Sequence, residues 1–162
     1  MPGSNPVKGY IDVLGTAGAG RSSRIEFMWN PEEISEDFDV GWTSTVIPGL
    51  PLTVKHYRGG GEQETTFRLQ LVAPYEDPKG GDAAEQVDRY IDDLYSLGLP
   101  FPPEGGSFQF FMPPVLRLVI GKIRRTVVLT KIRPVRKYFD NAMNSAVAEV
   151  DVTFQTVMVI NY

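Results

Sequence analysis

The stretch "LGTAGAGRSSRIEFMWNP", residues 14–31, sets Gly15 and Gly20 at the separation of the phosphate-binding loop G-x-x-x-x-G-K-S/T, with Arg21 in the lysine position and Ser22 after it. Such a loop works because backbone N–H groups, continued by the N-terminus of the next helix, point at the phosphates while the lysine reaches the terminal ones. Here the following residues, SSRIEFMW, alternate as a strand. A planar guanidinium also replaces the compact ammonium, and no later apolar strand ends in the aspartate that would help hold magnesium. Nucleotide-binding enzymology through a degenerate P-loop is thus the weaker reading, and the glycines are expected to join two strands.

Other chemistry-bearing residues are sparse. His56, between Lys55 and Tyr57, has the chemistry of a general base, but no serine, threonine or carboxylate is marked as its partner. It is the single histidine, and cysteine is absent, so multi-histidine and thiolate metal sites, disulfides and a cysteine nucleophile are excluded. The acids Glu32, Glu33, Glu36, Asp37 and Asp39 are dense, yet they miss the spacing of a calcium-binding EF-hand loop and are expected to form a solvated edge or an interface rim. No catalytic residue, metal or cofactor is expected. With 16 basic against 20 acidic residues and a net charge of −4, nothing favours nucleic-acid recognition. No apolar run approaches the roughly 20 residues that span a bilayer, and no signal peptide opens the chain, so a soluble protein without membrane insertion is expected.

The elements that would position these residues are mostly strands. The 162 residues are expected to form one domain, with residues 1–22 an N-terminal arm and glycine-rich loop. Within that arm, "VKGYIDVL" (7–14) is a short apolar run that the glycines would free to add to a neighbour's sheet. Arg24 to Trp29 alternates, and Ile34 to Trp42 keeps Ile34, Phe38, Val40 and Trp42 in one parity with Glu36 out of place among them. "IPGLPL" (47–52) is a rigid connection, and extended structure resumes over Leu52 to Tyr57. Thr65 to Val72 alternates cleanly, with Phe67, Leu69 and Leu71 inward.

An amphipathic helix is predicted over about 83–97. Asp82 and Glu85 would form a capping box, Ala84, Val87, Ile91 and Leu94 the apolar stripe, and Asp88, Asp92 and Asp93 an exposed flank. Phe108 to Met112, Val115 to Ile120, Thr126 to Ile132 and Ala146 to Ile160 follow as strands, the last two joined as an antiparallel hairpin by a turn in "FDNAMNSA" (139–146). The expected class is therefore mainly β (α+β), antiparallel, with one flanking amphipathic helix. Phe101, Phe108, Phe110 and Phe111 sit among prolines and are expected in the core or at a partner contact; exposed aromatics such as Trp29 and Trp42 would instead suit sugar stacking.

The order of these features resembles the tube-type domain of contractile-injection-system and phage-tail baseplate proteins, the domain that often precedes a LysM module. The resemblance runs from about Ile25 to Val159. It is carried in turn by "WNPEEISEDFDVGW", "IPGLPL", "YRGGGEQETTFRLQL", the helix "DAAEQVDRYIDDLYSL", "PPVLRLVIG" and the closing unit "RTVVLTKIRPVRKYFDNAMNSAVAEVDVTFQTVMV".

The resemblance implies a tail-tube-like β-barrel and a structural, non-enzymatic role. Such a protein forms a homo-oligomeric ring, six copies by family expectation, connecting the central hub to the tail tube or surrounding baseplate. It implies a place in the virion tail or baseplate, assembled in the bacterial host cytoplasm. No LysM module follows before Tyr162, which weakens peptidoglycan or carbohydrate binding to the alternative reading and leaves open a hub-to-tube adaptor ring, a tube initiator or a part that recruits a separate LysM protein. Val7, Tyr10, Ile11, Val13, Phe101 and Phe108 are the residues expected at partner contacts.

Overall fold

The computed structural model describes residues 7–14, 24–73, 83–100 and 113–158. Phe101, Phe108, Phe110, Phe111, Asp82 and the glycine loop after Leu14 lie outside them. Nine strands and one helix follow in the order β1 Tyr10–Leu14, β2 Arg24–Glu26, β3 Ile34–Phe38, β4 Gly41–Thr45, β5 Val54–Gly59, β6 Gln63–Val72, α1 Ala83–Ser96, β7 Val115–Ile120, β8 Ile123–Phe139 and β9 Ser145–Thr156. The fold is mainly β and antiparallel, as the alternation requires. Seven strands form one sheet in the order β2-β1-β7-β8-β9-β6-β3, and β4 and β5 form a separate two-stranded sheet.

Burial follows the parity of the strands. Phe67, Leu69 and Leu71 of β6 face Ala148, Val150, Val152 and Phe154 of β9 in one core, while Arg68, Gln70, Glu149 and Asp151 face outward. Phe67 stacks on Phe154 with ring centroids 5.6 Å apart, and Phe27, just beyond β2, tilts against Phe67 at 5.6 Å. The sheet therefore curls until its β2 side and its β6 side share one interior. No pairing joins β2 to β3 among the described residues, so closure into a barrel is not part of the single chain as described. The helix lays Val87, Ile91 and Leu94 into the same core. Its Asp88 does not stay on the exposed flank expected for it: the carboxylate accepts from Arg136 Nε at 3.1 Å and from the Ser145 N–H at 3.0 Å, tying α1 to β8 and β9.

Three further expectations are corrected. The segment 7–14 is not a detached arm, because β1 is paired on both sides, with β2 and with β7, and Ile11 is completely buried. Asn30 fastens its start, accepting from the Gly9 N–H at 2.8 Å and donating Nδ2–H to the Val7 carbonyl at 2.9 Å. The strand expected over 34–42 breaks between Phe38 and Gly41. There the backbone crosses the second glycine cluster so closely that a β-carbon on Gly61 would overlap the Asp39 carbonyl and one on Gly41 would lie 2.9 Å from the Gly59 carbonyl oxygen. This crossing turns the β4–β5 hairpin out of the main sheet. Finally, β8 does not stop at Ile132 but continues through Pro134 to Phe139. Proline is tolerated there because that half of β8 is an edge, with β9 on one side and, among the described residues, nothing on the other.

Candidate inter-subunit surface

The seven-stranded order conceals an open edge. β7 pairs with β8 only from Ile123 to Val127, so the twelve residues from Val128 to Phe139 have β9 as their one partner among the described residues. The opposite margin of the same sheet is β3, whose pairing among the described residues is confined to β6. Between these two edge strands lie β9 and β6, in the order β8-β9-β6-β3. An unpaired strand edge presents a row of backbone donors and acceptors and is a template for another strand.

The two edges carry opposite charge. Along the open part of β8 stand Lys131, Arg133, Arg136 and Lys137. Arg136 is held by Asp88, and Lys137 by Glu149 at 2.8 Å. Lys131 and Arg133 are exposed and make no ion pair among the described residues, although both help to hold Asp151 ionised. Along and around β3 stand Glu32, Glu33, Glu36, Asp37 and Asp39. Glu36 is the acid that interrupted the apolar parity, and its place is explained by Arg125, whose Nη1 lies 2.6 Å from Glu36 Oε1 and 3.2 Å from Thr65 Oγ1. Glu33, Asp37 and Asp39 make no ion pair among the described residues and leave the β3 margin acidic.

The outward face between the edges is a ladder of charge. Arg68 on β6 donates to both carboxylate oxygens of Asp151 on β9, at 2.6 and 3.3 Å, and lies 3.6 Å from Glu149. A shallow groove of about 430 Å³ runs beside this ladder, lined by Glu32, Glu33, Ser35, Arg68, Glu149 and Asp151 among others. The Asp151 carboxyl is held below the usual carboxylate range chiefly by its hydrogen bonds to Arg68, and Glu149 by its hydrogen bond to Lys137. Because both values are depressed on folding, their stabilisation is complete above the unfolded carboxylate range near pH 4 and is lost as pH falls through the folded values. Stability measured by urea denaturation is expected to decline steadily below about pH 4. Asp151→Asn is expected to flatten that decline; an unchanged slope would remove Asp151 from the ladder.

Of the residues expected at partner contacts, Ile11 is core and cannot contact a partner in this fold. Tyr10 and Val13 are half-buried within β1, Tyr10 beneath the Arg24 guanidinium at 4.0 Å, and Val7 is 86% exposed. Phe101 and Phe108 are outside the described residues. His56 lies on exposed β5 opposite Thr43, with no carboxylate bonded to it among the described residues. The segment after the glycine loop opens as strand β2, where a phosphate cradle would need a helix. Among the described residues no group of three or more His, Asp or Glu side chains could hold a metal ion, and no helix is long and apolar enough to cross a membrane.

What sequence reasoning missed is the basic edge of β8. Its residues were in view, but their openness depends on where β7 ends against β8, a register that no local pattern announces. The acidic run at 32–39 was the available signal, and it lies on the matching margin. No family model matches the chain, and no curated protein matches it.

Proposed function

We propose that this protein is a structural ring component of a phage-tail or contractile-injection baseplate, in which each copy sets its acidic β3 edge beside the basic β8 edge of the next. The carrying observation is the presence of two open, oppositely charged edges on one sheet. An edge that meets a different edge makes a heterologous contact, and such contacts close into a ring when the rotation between copies divides the circle. Like edges repel: β8 meets β8 with lysine and arginine on both sides, and β3 meets β3 with acids on both.

In this reading the barrel is a property of the ring, each copy contributing β8, β9, β6 and β3. Six copies, a central hub, the tail tube and a separate LysM protein are the partners that the family resemblance supplies. The protein acts by geometry and uses no cofactor, with the virion tail or baseplate as its place. Sugar stacking is the second reading, supported by exposed Trp42 and Tyr57, which meet edge-to-face with centroids 5.4 Å apart.

Sedimentation of the full chain across a salt series tests the proposal. The expected result is a discrete oligomer at low ionic strength that dissociates progressively between about 0.05 and 0.5 M salt, as the screening length shrinks below the separation of facing charges. An association that strengthens with salt would show an apolar contact in place of the charged edges and would overturn this geometry.

A further inference from the structure

Arg24, Arg68, Arg89, Arg125 and Arg136 are each held by an acid, respectively Asp12, Asp151, Glu85, Glu36 and Asp88. Arg117 on β7 and Arg124 on β8 are not: both are exposed, and neither makes an ion pair among the described residues. Arg58 and Arg133 share that property but stand singly, Arg58 on the β4–β5 hairpin and Arg133 opposite Asp151. Arg117 and Arg124 stand together. In the β7–β8 register Arg117 is opposite Thr126 and Arg124 is opposite Val119. The two arginines are therefore diagonal neighbours on one face of adjacent strands, about 7–8 Å apart at the backbone.

Between them opens a pocket of about 230 Å³, lined by Tyr10, Arg117, Val119, Arg124, Arg125 and Thr126. None of these lining residues is an acid. Asp12 faces Arg117 in the β1–β7 register, but its two carboxylate oxygens accept from Arg24, Nε at 2.6 Å and Nη2 at 3.1 Å. Arg125 has the opposite strand parity, and its guanidinium is engaged by Glu36 and Thr65. The uncompensated charge of the pocket is thus that of Arg117 and Arg124, two like charges that repel until an anion lies between them.

The pocket is built on fixed backbone. β7 and β8 are joined by the two-residue turn Gly121-Lys122, for which Gly121 supplies φ 59°. On the other side of β7, β1 sets Tyr10 opposite Val119, and the Arg24 guanidinium covers the Tyr10 ring at 4.0 Å. Val119 is only 7% exposed and gives the pocket an apolar floor, against which charge-assisted hydrogen bonds are stronger than in open water. The Val157 N–H donates to the Thr126 carbonyl at 3.0 Å and ties β8 down beside the pocket, while Thr126 adds a hydroxyl to the wall.

A single guanidinium fork satisfies both oxygens of a carboxylate. Two forks and a hydroxyl call for more acceptors, which a tetrahedral oxyanion has. We infer that this pocket binds a phosphate group, free or as a monoester, with Arg117 and Arg124 bonding it from two strands and Thr126 as a further donor. The site lies apart from β3 and from the open part of β8, which begins at Val128, so it does not rest on the proposed ring.

Calorimetric titration of the full chain with inorganic phosphate, at constant ionic strength set with chloride, tests the inference. The expected result is saturable binding of one phosphate per chain, with acetate at least about tenfold weaker. Arg117→Gln and Arg124→Gln are each expected to weaken phosphate at least about tenfold, the effect of losing a charge-assisted contact, in chains whose circular dichroism is native. Lys131→Glu/Arg133→Glu is expected to bind phosphate as wild type does. Competition by glycerol 3-phosphate would assign the site to a phosphate carried on a larger ligand, and its exclusion to free phosphate; both outcomes support the inference. Absence of saturable binding to wild type would overturn it without recourse to any variant. Acetate binding equal to phosphate, or undiminished binding to Arg117→Gln/Arg124→Gln, would also overturn it, as would loss of binding in Lys131→Glu/Arg133→Glu, which would move the anion to the β8 edge.

Discussion

Phe154→Ala is expected to destabilise the fold by about 3–5 kcal/mol, the range for truncating a fully buried phenylalanine. Phe154 is completely buried toward the C-terminal end of β9, opposite Thr65 on β6 and Leu129 on β8. Its ring stacks on Phe67, and Phe67 in turn meets Phe27, so one truncation loosens the contact through which the β2 side and the β6 side of the curled sheet share an interior. The loss is the transfer energy of the ring plus the cost of a cavity that β6 and β9 cannot collapse, because nine register pairs hold them at fixed spacing. Against a typical total of about 5–15 kcal/mol, this approaches unfolding. Urea titration of wild type and variant, compared at equal m-values, provides the measurement. A loss under about 1 kcal/mol would mean that the aromatic cluster is not the centre of the core.

The second large effect concerns assembly. Lys131→Glu/Arg133→Glu is expected to weaken lateral association by at least about 100-fold, since it places acids on both facing edges, where juxtaposed like charges cost several kcal/mol. The monomer is expected to keep its fold, because both side chains are exposed and make no ion pair among the described residues. Arg133 does help to hold Asp151 ionised, so a small loss of stability accompanies the reversal. Reversing the acidic edge in the same chain, with Glu33→Lys and Asp37→Lys, is expected to restore association. Equilibrium sedimentation of the three proteins reads the effect directly, and a reversal that leaves the wild-type association constant unchanged would remove β8 from the interface.

These two variants probe parts of the molecule that differ in how they are written in the sequence. The alternation in β6 and β9 and the stripe Val87, Ile91, Leu94 follow from local periodicity, and the structure places them in the core where that periodicity puts them. Positions governed by distant partners were not legible. Glu36 looked like an error in a strand until Arg125, eighty-nine positions later, stood against it. Asp88 looked like one more solvated acid on a helix flank, yet Arg136 and the Ser145 N–H draw it inward. Segment 7–14 seemed free because glycines flank it, while Asn30 and the edge of β7 fix it in the sheet. The strand expected to end at Ile132 runs on through Pro134, which the open edge of β8 accommodates. The candidate interface was half visible for the same reason: a cluster of acids is a local fact, whereas the basic edge that matches it exists only once the register of β7 on β8 is known.

The measurement that bears most directly on the proposed ring is the end-on view of the assembled full chain, obtained from electron-microscopy class averages at low ionic strength with the mass set by light scattering. The account predicts closed rings of one discrete copy number, six by family resemblance, that vanish in the Lys131→Glu/Arg133→Glu variant. Monomers alone at every concentration tested, or rings that survive the reversal intact, would contradict it.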